Sequence, residues 1–237
     1  MKIQTYNPRD WRSHPPYTFK GYASSVKRGP LRRLVPIKQT LSEITGPLFS
    51  DIKLAPGEND LTRDPVTGKE AVGERIIVVG RVVDEDERPV PNTLIEIWQA
   101  NAAGRYRHPV DQHNAPLDQN FTGAGRCVAN EKGEYRYITI KPGAYPWLNH
   151  PNAWRPSHIH LSLFGPSFVT RLVTQMFFPD DPLIPMDPIL NSVPTRSGRE
   201  RLISSYDHGV TEPEYALGYR FDIVLRGRRA TPFEEPR

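Results

Sequence analysis

Residues 75–84 (RIIVVGRVVD) are dense in β-branched side chains, and residues 93–99 (TLIEIWQ) alternate apolar and polar after a turn at 87–92 (ERPVPN) that holds two prolines. The pair predicts a meander or hairpin. Further extended segments follow at 134–140 (EYRYITI), 157–164 (SHIHLSLF), 171–178 (RLVTQMFF) and 219–225 (YRFDIVL), separated by proline and glycine turns. Short strands at this spacing, with no helical pattern of crossover length between them, predict a mainly β protein with an antiparallel β-sandwich core and few short helices. One such helix is expected between Gly198 and Tyr206.

Upstream, residues 1–73 read as an extended, irregular N-terminal arm punctuated by Pro15, Pro16, Pro30, Pro36, Pro47, Pro56 and Pro65. Within it only residues 40–44 look helical, with Thr40 and Glu43 at capping-box spacing and Gly46 as a stop. A long arm without its own core wraps a partner or its own domain. The chain therefore divides into the arm at 1–73 and a sandwich domain at 74–237.

A length of 237 residues suits one sandwich domain, and 25 prolines suit a turn-rich chain. The charge of +4 is spread along the sequence, which fits an anionic ligand; with no interleaved aromatics or groove-entering helix, nucleic acid is not expected as a partner. No apolar run reaches membrane-spanning length, so no membrane partner is expected either. The single cysteine, Cys127, excludes an internal disulfide and a multi-cysteine zinc site, and points to a reducing cytoplasm.

The sharpest local signal is residues 155–160 (RPSHIH). Residues two apart in a strand share a face, so His158 and His160 can converge on one metal while Ile159 packs on the opposite side. Two unrelated strand histidines would read the same way. Tyr106, closing 100–106 (ANAAGRY), and Tyr145, between prolines in 141–147 (KPGAYPW), are amphipathic packing residues if taken singly. As a set with the histidines, two phenols and two imidazoles suit a hard, highly charged ion, ferric iron ahead of zinc or cuprous copper. His14, His108, His113, His150 and His208 lie in polar or proline-rich loops and read as solvated.

Residues 79–106, with Gly80, Pro89, Val90, Pro91, Glu96, Trp98 and Gly104, resemble the signature stretch of the intradiol ring-cleavage dioxygenases. The similarity continues through 141–147, 155–160, 181–185 and 219–229 (YRFDIVLRGRR) and spans nearly the whole chain. The resemblance implies one Fe(III) per chain held by Tyr106, Tyr145, His158 and His160, O2 as co-substrate, and Tyr145 as the ligand that leaves when an aromatic diol binds. It further implies that Arg155 stabilises negative charge on the substrate, and that Tyr22 belongs to the substrate pocket. By the same resemblance Trp147 and Ile189 flank the ring, Gln175 and Trp98 surround the metal pocket, and Asp111 is a supporting carboxylate. Phe177 departs from the family, where a tyrosine is common, and one hydroxyl near the site is thereby in doubt.

Within the family the match of the arm favours the branch that cleaves protocatechuate (3,4-dihydroxybenzoate) to 3-carboxy-cis,cis-muconate and implies a homologous alpha chain in a hetero-oligomer. Catechol or hydroxyquinol as the diol is the alternative. An alternative of another class is a noncatalytic sandwich subunit of such an enzyme.

Overall fold

The computed structural model describes residues 10–33, 35, 53–165 and 172–233. Two sheets carry the fold. In the first, β1 (Arg75–Val83) is central: β4 (Glu134–Ile140) runs antiparallel along one edge, and β10 (Leu217–Arg220) then β11 (Ile223–Val224) run parallel along the other, with β9 (Ser205–Tyr206) beyond β10. The second sheet is antiparallel throughout, in the order β3 (Ala124–Val128), β2 (Leu94–Trp98), β7 (His158–Phe164), β8 (Leu172–Phe177). A small ribbon pairs β5 (Tyr145–Pro146) with β6 (Trp154–Arg155).

The core lies between the two sheets and follows the two-residue period of the strands. Ile76, Val78 and Val82 of β1 meet Ile95 and Ile97 of β2, Ile159, Leu161 and Leu163 of β7, and Met176 of β8. Burial of each such side chain contributes about 1.5–3 kcal/mol. The alternate residues of β1, Ile77 and Val79, pack with Ile138 and Ala216 on the far face of the first sheet.

The sandwich is as expected, but its connections differ from the sequence reading in three places. The predicted meander or hairpin of β1 and β2 does not form, because the two strands lie in different sheets with their apolar faces meeting across the core. The proline turn pairs briefly with the end of β1 (Val90 N to Val82 O, 2.9 Å), and the chain then crosses to the other sheet. The strand predicted at 219–225 is two strands parallel to β1, interrupted at Phe221–Asp222. There the Phe221 carbonyl accepts from Tyr135 Oη, leaving no room for a Cβ on Gly80, and Asp222 Oδ1 takes the Arg81 amide at 2.8 Å. The helix expected between Gly198 and Tyr206 lies earlier, as α3 (Arg196–Glu200), because Thr195 caps it by accepting the Gly198 amide, and Ser205–Tyr206 is strand.

In the arm, α1 (Ala23–Arg28) was not foreseen, and the helix expected at 40–44 falls outside the described residues. Residues 53–73 lie on their own sandwich: Leu61 is part of the core and its amide donates to Ile138 O at 2.9 Å. His14, expected to be solvated, is buried against Phe233 at 5.1 Å between ring centroids. Among the described residues no helix is long and apolar enough to cross a membrane.

Tyr137 is fully buried, stacks on Tyr135, and its hydroxyl has no hydrogen-bond partner among the described residues. Since a buried unsatisfied donor costs stability, Tyr137→Phe should raise it by about 1 kcal/mol in chemical denaturation. A clear loss would reveal a partner for that hydroxyl.

Candidate metal centre

The outer face of the second sheet, turned away from the core, carries the alternate residues of β7. His158 and His160 stand there while Ile159 points inward with no exposure. Pairing across three strands sets Trp98, His160 and Gln175 in one row and His158 beside Phe177 in the next. Trp98 stacks on His160 (centroids 4.9 Å, interplanar angle 9°), and Phe177 stacks on His158 (5.6 Å, 30°). Phe177 thus puts a ring without a hydroxyl directly against an imidazole.

Two loops bring the phenols to this face. Gly104 N and Gly143 N both donate to the Asn101 carbonyl, at 3.0 Å each, and a Cβ on Gly104, which has φ of +76°, would run into the Ala144 carbonyl. This backbone-to-backbone approach, which only glycine permits, sets the Tyr106 and Tyr145 rings edge to face at 5.3 Å. Asp111 acts on backbone here: its Oδ2 accepts the Tyr106 amide at 2.7 Å and so fixes where that side chain starts. Tyr145 Oη lies 3.3 Å from His158 Nε2, the two histidine rings are 4.9 Å apart, and Tyr106 lies 6.3 Å from His160.

Donor chemistry supports a metal here. His158 Nδ1 sits 2.7 Å from the Pro156 carbonyl oxygen, a contact that needs an N–H, so the lone pair is on Nε2, the atom facing Tyr145. Burial, then the Arg155 charge and His160, hold the His158 pKa well below the usual imidazole range, which keeps the ring neutral. Among the described residues no three His, Cys, Asp or Glu side chains gather around one point, so a metal at this place would take phenolic oxygens as well as nitrogens.

Arg155, on β6 beside Tyr145, is buried under the same face. Its Nη1 lies 2.9 Å from His158 Nε2 and 3.5 Å from Tyr145 Oη, and Nη2 donates to Gln175 Oε1 at 2.6 Å. Burial opposes its charge, but Asp187 and Tyr145 outweigh burial and raise its pKa, so the guanidinium stays charged. Asp187, its ion-pair partner at 2.9 Å, escaped the sequence reading. An Asp-Pro pair signals a helix cap, and nothing in the sequence ties residue 187 to residue 155. Removing one member of so buried a pair costs about 3–5 kcal/mol.

The remaining predicted residues are tied to this face or to one another in different ways. Tyr22 packs on Trp147 (5.4 Å), and the Arg155 guanidinium lies 5.7 Å from the Trp147 ring centroid. Tyr22 is held by a residue that was also missed: Asn149 accepts the Ala23 amide at 2.7 Å and donates to Gly21 O at 2.9 Å, bracketing it. Ile189, buried in α2 (Pro188–Asn191), donates its amide to Asp187. Trp147 Nε1 and Gln175 Nε2 are buried N–H groups without partners among the described residues.

Comparison with known proteins places the whole chain in one class. Residues 44–227 match a family model described as "Dioxygenase", residues 7–40 match one described as "Protocatechuate 3,4-dioxygenase beta subunit N terminal", and the chain belongs to the intradiol ring-cleaving dioxygenases, iron-dependent enzymes that use O2. It is 60% identical to the protocatechuate 3,4-dioxygenase beta chain of Burkholderia cepacia over 227 residues, which cover 96% of each chain. The alpha chain of the Pseudomonas putida enzyme is 31% identical over 83% of this chain and 96% of its own. A 3-chlorocatechol 1,2-dioxygenase from Rhodococcus opacus 1CP shares the fold, with a TM-score of 0.53 and 20% identity over 77% of this chain and 73% of that one.

Gly104→Ala would force both an unfavourable φ and a backbone clash at the junction of the two tyrosine loops. It should cost about 3 kcal/mol in chemical denaturation and sharply reduce iron content. A variant with parental stability and full iron would separate the junction from metal binding.

Proposed function

We propose that the chain is the catalytic subunit of an intradiol dioxygenase that opens protocatechuate with O2 to give 3-carboxy-cis,cis-muconate, at one Fe(III) held by Tyr106, Tyr145, His158 and His160. The observation that carries the proposal is the meeting of Tyr145 Oη, His158 Nε2 and Arg155 Nη1 within 3.5 Å on one buried face, in a chain of this family. When bound, ferric iron supplies the binding of both diol oxygens and a spin-allowed route for triplet O2 to react with a singlet aromatic ring.

The protein's own groups do the rest. With iron bound, Tyr145 Oη would take one of the two protons that the diol loses on binding. Arg155 holds a fixed positive charge beside the ring, where negative charge develops, and needs no proton transfer to act. Trp147, Ile189 and Tyr22 form walls that exclude water and orient the ring. Asp111, through the Tyr106 amide, and Trp98, through the His160 ring, fix ligand directions. Residues 74–237 are the iron-binding catalytic domain in this reading, residues 53–73 pack onto it, and the arm upstream of them contributes Tyr22 and wraps a partner.

The proposal includes a homologous alpha chain as that partner, as the names of the beta- and alpha-chain relatives suggest, and a cytoplasmic setting, as the single cysteine suggests.

The purified protein is expected to show a visible phenolate-to-iron band that changes on anaerobic addition of protocatechuate, and faster oxygen uptake with protocatechuate than with catechol. Tyr106→Phe should shift or bleach the band. A colourless, iron-free preparation would favour a noncatalytic subunit, and preference for catechol would move the substrate assignment. Arg155→Ser should keep iron and colour but lose about 100- to 1,000-fold in kcat; oxygen uptake near the parental rate would remove Arg155 from the mechanism.

A further inference from the structure

Asp187 stands at the start of α2 with Pro188 behind it, a sequence pair whose ordinary meaning is a helix N-cap. Capping does not account for its setting. Its side chain has no exposure, and both carboxylate oxygens face Arg155: Oδ2 accepts Nη2 at 2.9 Å and Oδ1 accepts Nε at 3.3 Å. Oδ1 also accepts the Ile189 amide at 3.3 Å. Gln175 Oε1 takes Nη2 from another side at 2.6 Å. With the Nε–Nη2 edge of the fork gripped, Nη1 is the nitrogen left facing Tyr145 Oη and His158 Nε2.

We propose that Asp187 is a positioning residue for ring opening: its buried carboxylate aims Arg155 Nη1 at Tyr145 Oη and His158 Nε2. The inference rests on the catalytic role given to Arg155 above. Two physical reasons support it. A guanidinium is planar, so two contacts along one edge set the direction of the third nitrogen, which a single contact cannot do. A lone buried cation is also expensive and would repel any metal cation nearby, whereas the Arg155–Asp187 unit is neutral as a whole.

The competing explanation, that Asp187 is only a helix cap, is separable because Asn caps as well as Asp. Asp187→Asn keeps the cap and the volume and removes the charge. The test is a cycle of Asp187→Asn and Arg155→Ser in the assembled, iron-loaded enzyme. Alone, Asp187→Asn is expected to lower kcat about 100-fold, change KM by less than about threefold and leave iron content intact. In the Arg155→Ser background it should cost less than about threefold more. Asp187→Glu, which restores the charge on a longer stem, should recover part of the loss.

Equal losses in both backgrounds, or an Asp187→Asn enzyme within about threefold of the parent, overturn the proposal while the role of Arg155 stands. Full turnover by Arg155→Ser would instead remove the reading beneath it. If Asp187→Asn fails to accumulate as folded protein, the Tm of Asp187→Asn/Arg155→Met decides, since that protein leaves no buried charge unpaired. A Tm near the parental value supports the pairing, and a double variant that likewise fails to accumulate overturns it.

Discussion

Strand β7 is buried on both faces, and its pleat decides what each face does. Ile159, Leu161 and Leu163 complete the core, while His158 and His160 look the other way. A slip of one residue would drive two imidazoles into an apolar interior and set isoleucine against the tyrosines. The register is locked from both sides, by β2 at Trp98↔His160 and by β8 at His160↔Gln175. The hydrophobic core therefore fixes the direction of the imidazoles, although it touches neither functional nitrogen.

Charge is arranged with similar economy. His158 is neutral because it is buried beside a guanidinium, and that guanidinium is tolerated because Asp187 neutralises it. Nothing in the Arg155–Asp187 unit adds net charge to the site, so the two phenols of the proposed centre are the groups left to balance a highly charged ion. A cation that is paired along one edge and open at one tip can meet negative charge on a substrate without first rearranging.

The legible parts of the sequence were those governed by local period. The histidine pair in RPSHIH needs only the pleat to be understood, and the limits of β4 and β7 follow from the alternation of 134–140 and the proline at 156. What the sequence hid depends on contacts between distant segments. Gly104 could be marked as a turn residue, yet its use is to let residues 101–104 lie on residues 143–144, and no local signal names that partner. The hairpin expectation failed for the same reason: strand pattern tells which face is apolar, but not whether the next strand lies beside it or across from it. Asp187 was missed because its partner Arg155 lies 32 positions away and no local pattern joins the two.

The arm shows how far this dependence on distance extends. Asn149 holds backbone on both sides of Tyr22, so the place of a residue near the N-terminus is set by a loop 126 to 128 positions away. That loop belongs to the ribbon of β5 and β6, which also carries Tyr145 and Arg155. Asp181 secures the next turn by accepting the Ser157 amide at 2.9 Å, while Ser157 Oγ donates to Pro142 O at 2.7 Å. The segments bearing Tyr22, Tyr145, Arg155 and His158 are thus joined by hydrogen bonds rather than by one continuous element. Each residue can be exchanged singly, but the distances among the four depend on all of these ties together, and the rigid outer face of β7 is the part of the assembly that the core holds fixed.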